Sequence, residues 1–161
     1  MESPHCLRLL QGLALIGLVT SCGVGVAPTP DAALEQGARE TTTFRGTTGG
    51  ELFQIEVNSH PDPVPLNTPF HLEVHLFEAD GVTPVTGARL EVEGWMKNHG
   101  HGMLRRSVTT ELSGSPGIYE VRGMLFHMGG HWDLRIQVSR QRLTAEERLL
   151  ERDGITFGVD L

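Results

Sequence analysis

A two-residue period in the apolar side chains is the feature that most limits what this chain can fold into. In FHLEVHLFE (70–78), Phe70, Leu72, Val74 and Leu76 alternate with His71, Glu73 and His75. Successive side chains of a strand point to opposite faces, so one face of this segment meets a core and the other meets water. Leu90 and Val92 in 88–96 repeat the pattern, as do Trp132, Leu134, Ile136 and Val138 in 131–139. Further strand candidates at 52–58, 103–112, 117–126 and 154–160 are bounded by turn formers such as Ala79-Asp80-Gly81 and Ser113-Gly114-Ser115-Pro116-Gly117. About seven such strands within 51–161 predict an all-β fold, an immunoglobulin-like antiparallel β-sandwich. The Cys…Trp…Cys spacing of antibody domains is absent from that stretch. One segment, 144–153, has another rhythm. Thr144 and Glu147 have capping-box spacing and Leu149 and Leu150 form a small apolar side, so it reads as a short helix or a polar loop before the last strand.

The N-terminus is of a different kind. Arg8 precedes an apolar run from Leu9 to Val19, too short for a lasting transmembrane helix, which needs about 20 residues. Residues 1–21 therefore read as an export signal. The sequence Val19-Thr20-Ser21-Cys22 resembles the lipobox of bacterial lipoproteins, which implies acylation of Cys22 and attachment to a membrane surface. The alternative is an ordinary secretory signal with an incidental cysteine. Gly23, in place of an aspartate, implies by the same resemblance the periplasmic face of the outer membrane of a Gram-negative cell. Cleavage discards Cys6 and leaves no partner for a disulfide, so stability must come from burial. Residues 22–50 are rich in Gly, Thr, Ala and Pro without an apolar period and read as a lipidated flexible tether spanning roughly 30 Å. The formal charge of −7 argues against nucleic acid as a partner, since phosphate binding needs clustered Lys and Arg.

If consecutive strands run antiparallel, connections alternate between the two ends of the sandwich. The first, third and fifth connections carry His60; then His99 and His101 with Met103 at the exit; then His127, Met128 and His131. His71 begins its strand at the same end. The connections at the opposite end, 79–87, 113–116 and 140–153, contain no histidine. His75 falls mid-strand on the outward face, and Met96 and Met124 sit at strand ends where core packing is expected.

Imidazole suits copper and zinc, and a thioether favours copper, above all Cu(I). His99, His101, Met103, His127, Met128 and His131 are therefore candidate copper ligands, with Gly100 and Gly102 loosening the backbone and Trp95 and Trp132 walling the site or packing beneath it. Zinc fits less well, because structural zinc sites usually draw on cysteine thiolates. The glycines of His-Gly-His-Gly and Met-Gly-Gly-His also suit plain tight turns, with the histidines tolerated on a wet loop. No nucleophile elbow, phosphate loop or His-Glu-x-x-His helix is present, so no enzyme is expected. The readings are a copper carrier or scavenger, a protein-interaction or assembly module for an envelope protein partner with incidental histidines, or a pH-responsive surface.

VEGWMKNHGHGM (92–103) followed by GIYEVRGMLFHMGGHWDLRIQV (117–138) resembles the YtkA-like domain, a group of small extracytoplasmic domains related to FixH-type proteins. The residues that carry it are Met96, the His99-Gly100-His101-Gly102 run, Tyr119, Gly123, Phe126, Met128, Gly130 and Trp132. The resemblance implies an immunoglobulin-like sandwich and an envelope location. The link of FixH-type proteins to assembly of copper-containing oxidases suggests copper.

Overall fold

The computed structural model describes residues 43–161, all strand, turn and loop with no helix. The signal segment 1–21, Cys22 and most of the 22–50 tether lie outside the described residues. Nine strands run in order: β1 (Thr43–Thr47), β2 (Phe53–His60), β3 (Phe70–Glu78), β4 (Arg89–Met96), β5 (His101–Gly102), β6 (Val108–Glu111), β7 (Ile118–Met124), β8 (His131–Leu143) and β9 (Arg148–Asp160). They form a five-stranded sheet, β1-β2-β3-β7-β6, and a four-stranded sheet, β5-β4-β8-β9. All named pairings are antiparallel. The order β2-β3-β7-β6 facing β5-β4-β8-β9 is the A-B-E-D and C′-C-F-G arrangement of immunoglobulin-like sandwiches, with β1 added beyond the A strand.

The core is the set of inward positions that the alternation marks. Ile55, Val57, Leu72, Val74, Leu76 and Val121 of one sheet face Leu90, Val92, Leu134, Ile136 and Val138 of the other, all buried. Each such side chain contributes roughly 1.5–3 kcal/mol when fully buried. No cysteine lies between residues 43 and 161, so this burial acts without a covalent staple. Tyr119 is buried too. Its hydroxyl donates to Val85 O (2.9 Å) and accepts from Ala88 N–H (3.1 Å), fastening the β3–β4 connection to β7.

Three expectations about the elements are corrected. The sandwich starts before residue 51: Thr43–Thr47, within the presumed tether, pairs along β2 and turns Phe44 onto Phe157 of the opposite sheet, with ring centres 5.5 Å apart. Alternation was invisible there because Gly46 holds an inward position, where a Cβ would stand 2.6 Å from Ile155 Cδ1. The predicted strand 103–112 is strand only at its far end, β6; residues 103–107 cross from β5 in one sheet to β6 in the other. The segment 144–153 is no helix. It supplies the turn between β8 and β9 and the first half of β9, whose thirteen residues each face a partner from His131↔Asp160 to Leu143↔Arg148. Thr144 does act as a cap: its Oγ1 accepts from Glu147 N–H (3.1 Å) while its own N–H donates to Glu147 O (2.9 Å). That closes a hairpin turn, and cross-strand pairing overrides the local helical signal.

Asp153 locks the β1–β2 connection to β9. Its carboxylate accepts hydrogen bonds from Thr48 Oγ1, from Gly50 N–H (2.9 Å), from Leu52 N–H (3.1 Å) and from Gly154 N–H (2.8 Å). Burial alone would raise its pKa, but these donors outweigh it and hold the carboxyl below the ordinary aspartate value. A depressed folded-state pKa means the contribution is complete above the unfolded value, about 3.9, and is lost as pH falls through the lower folded value. Asp153→Asn is expected to cost about 1–3 kcal/mol at neutral pH and to flatten the acid limb of stability below roughly pH 4, as read by urea unfolding across pH.

Candidate metal centre

The pole where β2, β4, β7 and β9 end is floored by aromatic rings. Phe126 stacks on Trp132 with centroids 4.8 Å apart, and Phe70 meets Phe126 edge-on at 5.2 Å. These rings come from β3, the β7–β8 connection and β8, so the floor spans both sheets. Trp132 is fully buried and its indole N–H donates to Met128 O (2.9 Å), which fixes the 127–130 loop over the floor. Gly94 makes room for it. A Cβ there would stand 2.3 Å from Phe126 Cε1 and 3.1 Å from Met103 Cγ, so only glycine lets both side chains close over β4.

Strand parity then decides which imidazoles meet. His101 pairs with Met96, which is buried, so His101 also turns to the inner side at the mouth of the core. The reversal between them uses Met96 O as acceptor for His99 N–H (3.1 Å) and Gly100 N–H (2.9 Å), with Gly100 at φ 68°. Met103 continues the pairing, its N–H donating to Gly94 O (3.1 Å), and its side chain packs against the core. The rings of His101 and His127 are 5.4 Å apart and 30° from parallel, and both abut Trp132, at 6.2 and 5.4 Å. Exposed His99 lies 5.8 Å from His101.

Two details bear on ligation. His101 Nδ1–H donates to Gly102 O (3.2 Å), which leaves the Nε2 lone pair available. His127 Nδ1 is buried with no hydrogen-bond partner. An unmade bond at a buried nitrogen costs about 1–3 kcal/mol, so such an atom calls for a ligand or a role. The residues fit an ion in spacing as well. With nitrogen about 2.0–2.1 Å from the ion, two imidazoles sharing it hold their centroids roughly 5–6 Å apart.

Of the six candidate ligands, then, the fold brings His99, His101 and His127 into one chain of rings, with Met103 and Met128 packed at the same end of the core. His131 is excluded. It precedes inward-facing Trp132 and so points outward, where Nδ1 pairs with Asp160 Oδ1 (2.7 Å) and Nε2 lies 3.7 Å from Asp133 Oδ1. Met96 and Met124 are core residues as expected, and His75 lies on the outer face bonded to Glu73 (2.7 Å). Among the described residues no three His, Cys, Asp or Glu side chains already converge as a closed metal group. The aromatic floor was not read from sequence, although Phe126 and Trp132 flank the MLFHMGGHW segment that carries the histidines.

A cleft of about 740 Å³ lies beside this pole along β4 and residues 102–109, lined by Leu90, Val92, Trp95, Met103, Arg105 and Arg106 among others. The Arg135 guanidinium covers Trp95 at 5.1 Å.

Fold and pole together define an immunoglobulin-like sandwich with a histidine-bearing, glycine-rich end. The YtkA-like family matches residues 47–137, more than half of the chain, and the chain belongs to that family. Neither curated proteins nor solved structures give a match. The matched span includes Gly94, His99, His101, Met103, Phe126, His127 and Trp132.

Gly94→Ala is expected to push Phe126 off its stack and to cost about 1–3 kcal/mol, the usual range for overpacking. A lowered urea midpoint at unchanged m value checks this.

Proposed function

We propose that this YtkA-like domain is a copper-binding carrier or scavenger of the cell envelope, with His101 and His127 as its central ligands. The observation that carries the reading is the buried, unpartnered Nδ1 of His127 beside the ring of His101, whose Nδ1 is already committed to a backbone carbonyl. His99 supplies a third imidazole on the exposed turn before Gly100, and Met103 and Met128 supply thioethers after side-chain rotation. A set of imidazole and thioether donors favours Cu(I) over zinc. An incompletely closed group of ligands suits release as well as uptake, as a carrier requires. No catalysis is proposed.

The chain is further proposed to be exported and held at the membrane by acylated Cys22, on the periplasmic face of the outer membrane. The sequence Val19-Thr20-Ser21-Cys22 after an apolar run supports this reading. Cys22→Ala is expected to move the protein from the membrane to the soluble fraction of cells, as seen by fractionation and blotting.

A second reading, an assembly module that docks an envelope protein, is favoured by the cleft along β4. There, β5 pairs only with Trp95 and Met96, so among the described residues the edge from Arg89 to Glu93 has no hydrogen-bonded strand, although Val92 O accepts from Ser107 Oγ. Competition titration with Cu(I) separates the two. In the copper reading, His101→Gln or His127→Gln weakens uptake about tenfold or more and His131→Gln leaves it unchanged. Uptake that the double variant H101Q/H127Q does not alter would assign the pole to the docking reading instead.

A further inference from the structure

We propose that His60 and His71 form a separate cation site on the outer face of the five-stranded sheet, taking a borderline divalent ion such as Zn(II) through two imidazoles. The pair closes the β2–β3 ladder, residue opposite residue. Directly opposed side chains of an antiparallel pair have Cβ atoms about 4.5–5.5 Å apart, near enough to share a ligand without backbone movement. The preceding pair, Ser59 and Leu72, is buried, so parity turns His60 and His71 outward, and both are exposed.

Ring geometry supports a chelate. The centroids are 4.9 Å apart and the planes 23° from parallel. Two imidazoles bound to one ion at a near-tetrahedral angle hold their centroids roughly 5 Å apart, given about 2.0–2.1 Å from ion to nitrogen. The rings are stacked, so rotation about χ1 and χ2 turns a nitrogen of each toward a common point. The backbone beneath is firm, because Val57, Leu72 and Val74 are fully buried on the reverse of the same ladder. That preorganisation lowers the ordering cost which usually weakens a two-ligand site.

The donor set also differs from that of the pole. The pair offers imidazole without a thioether, which suits divalent zinc, nickel or copper rather than Cu(I). The acidic residues farther down this face already have partners: Glu56 with Arg45, Glu73 with His75, and Glu120 with Arg122. Water fills the remaining coordination positions, giving an open and exchangeable site. A bound ion also joins the end of β2 to the start of β3, so binding stabilises the sandwich by mass action.

The proposal does not depend on copper binding at His101 and His127. Its test is Zn(II) alone, added to the full chain and followed through the histidine ring resonances by NMR, with thermal unfolding as a second measurement. Zn(II) is expected to shift the His60 and His71 signals together to saturation and to raise the unfolding midpoint. His60→Gln and His71→Gln each weaken this uptake about tenfold or more and abolish the thermal gain at the same Zn(II) concentration. H101Q/H127Q leaves both effects in place. Separate, unsaturable shifts of the two rings would overturn the proposal, as would affinity and thermal gain that persist in H60Q and H71Q.

Discussion

The imidazole-bearing pole depends on the packing of Phe126 against Trp132. That stack, 4.8 Å between ring centres, fills the mouth of the inter-sheet space and joins the β7–β8 loop to β8. It requires a missing side chain at Gly94, and it sets the height at which His127 rides beside His101. The indole N–H to Met128 O bond then holds the loop against the floor. An aromatic floor of this kind excludes water from one side of the ring cluster. Any polar contact made there acts in a lower dielectric than on the open surface.

The other pole is built differently. Arg140 reaches from β8 to Glu78 of β3 and to Glu151 of β9, and lies over the Phe53 ring at 5.0 Å. Hydrogen bonding to Arg140 keeps Glu151 ionised below its usual range despite partial burial. With Asp153 gathering four donors nearby, the histidine-free end is cross-linked by charge-assisted bonds between sheets. The histidine-bearing end is closed by aromatic packing instead, Phe70 on Phe126 and Phe126 on Trp132.

Much of this was legible in advance, for reasons particular to strands. Alternation at 70–78, 88–96 and 131–139 located the core because a half-buried strand leaves a period-two trace. Loop parity collected the histidines at one end because antiparallel neighbours must reverse direction. The misreadings have physical causes as well. Thr43–Thr47 hid because glycine holds an inward position at the edge. The 144–153 segment carried a real capping signal from Thr144 that the hairpin used for a turn. By sequence His131 belongs to the histidine-bearing connection, yet one residue of register separates it from Trp132 and sends it to the outer face, against Asp160.

The amino-acid sequence by itself determined the strand class, the inward-facing residues and the end of the sandwich that receives the histidines, since all three follow from periodicity and chain reversal. The tertiary structure alone decided which of those histidines approach one another. Ring proximity depends on register across strands and on the space left at Gly94, and both are set by packing between residues distant in the chain.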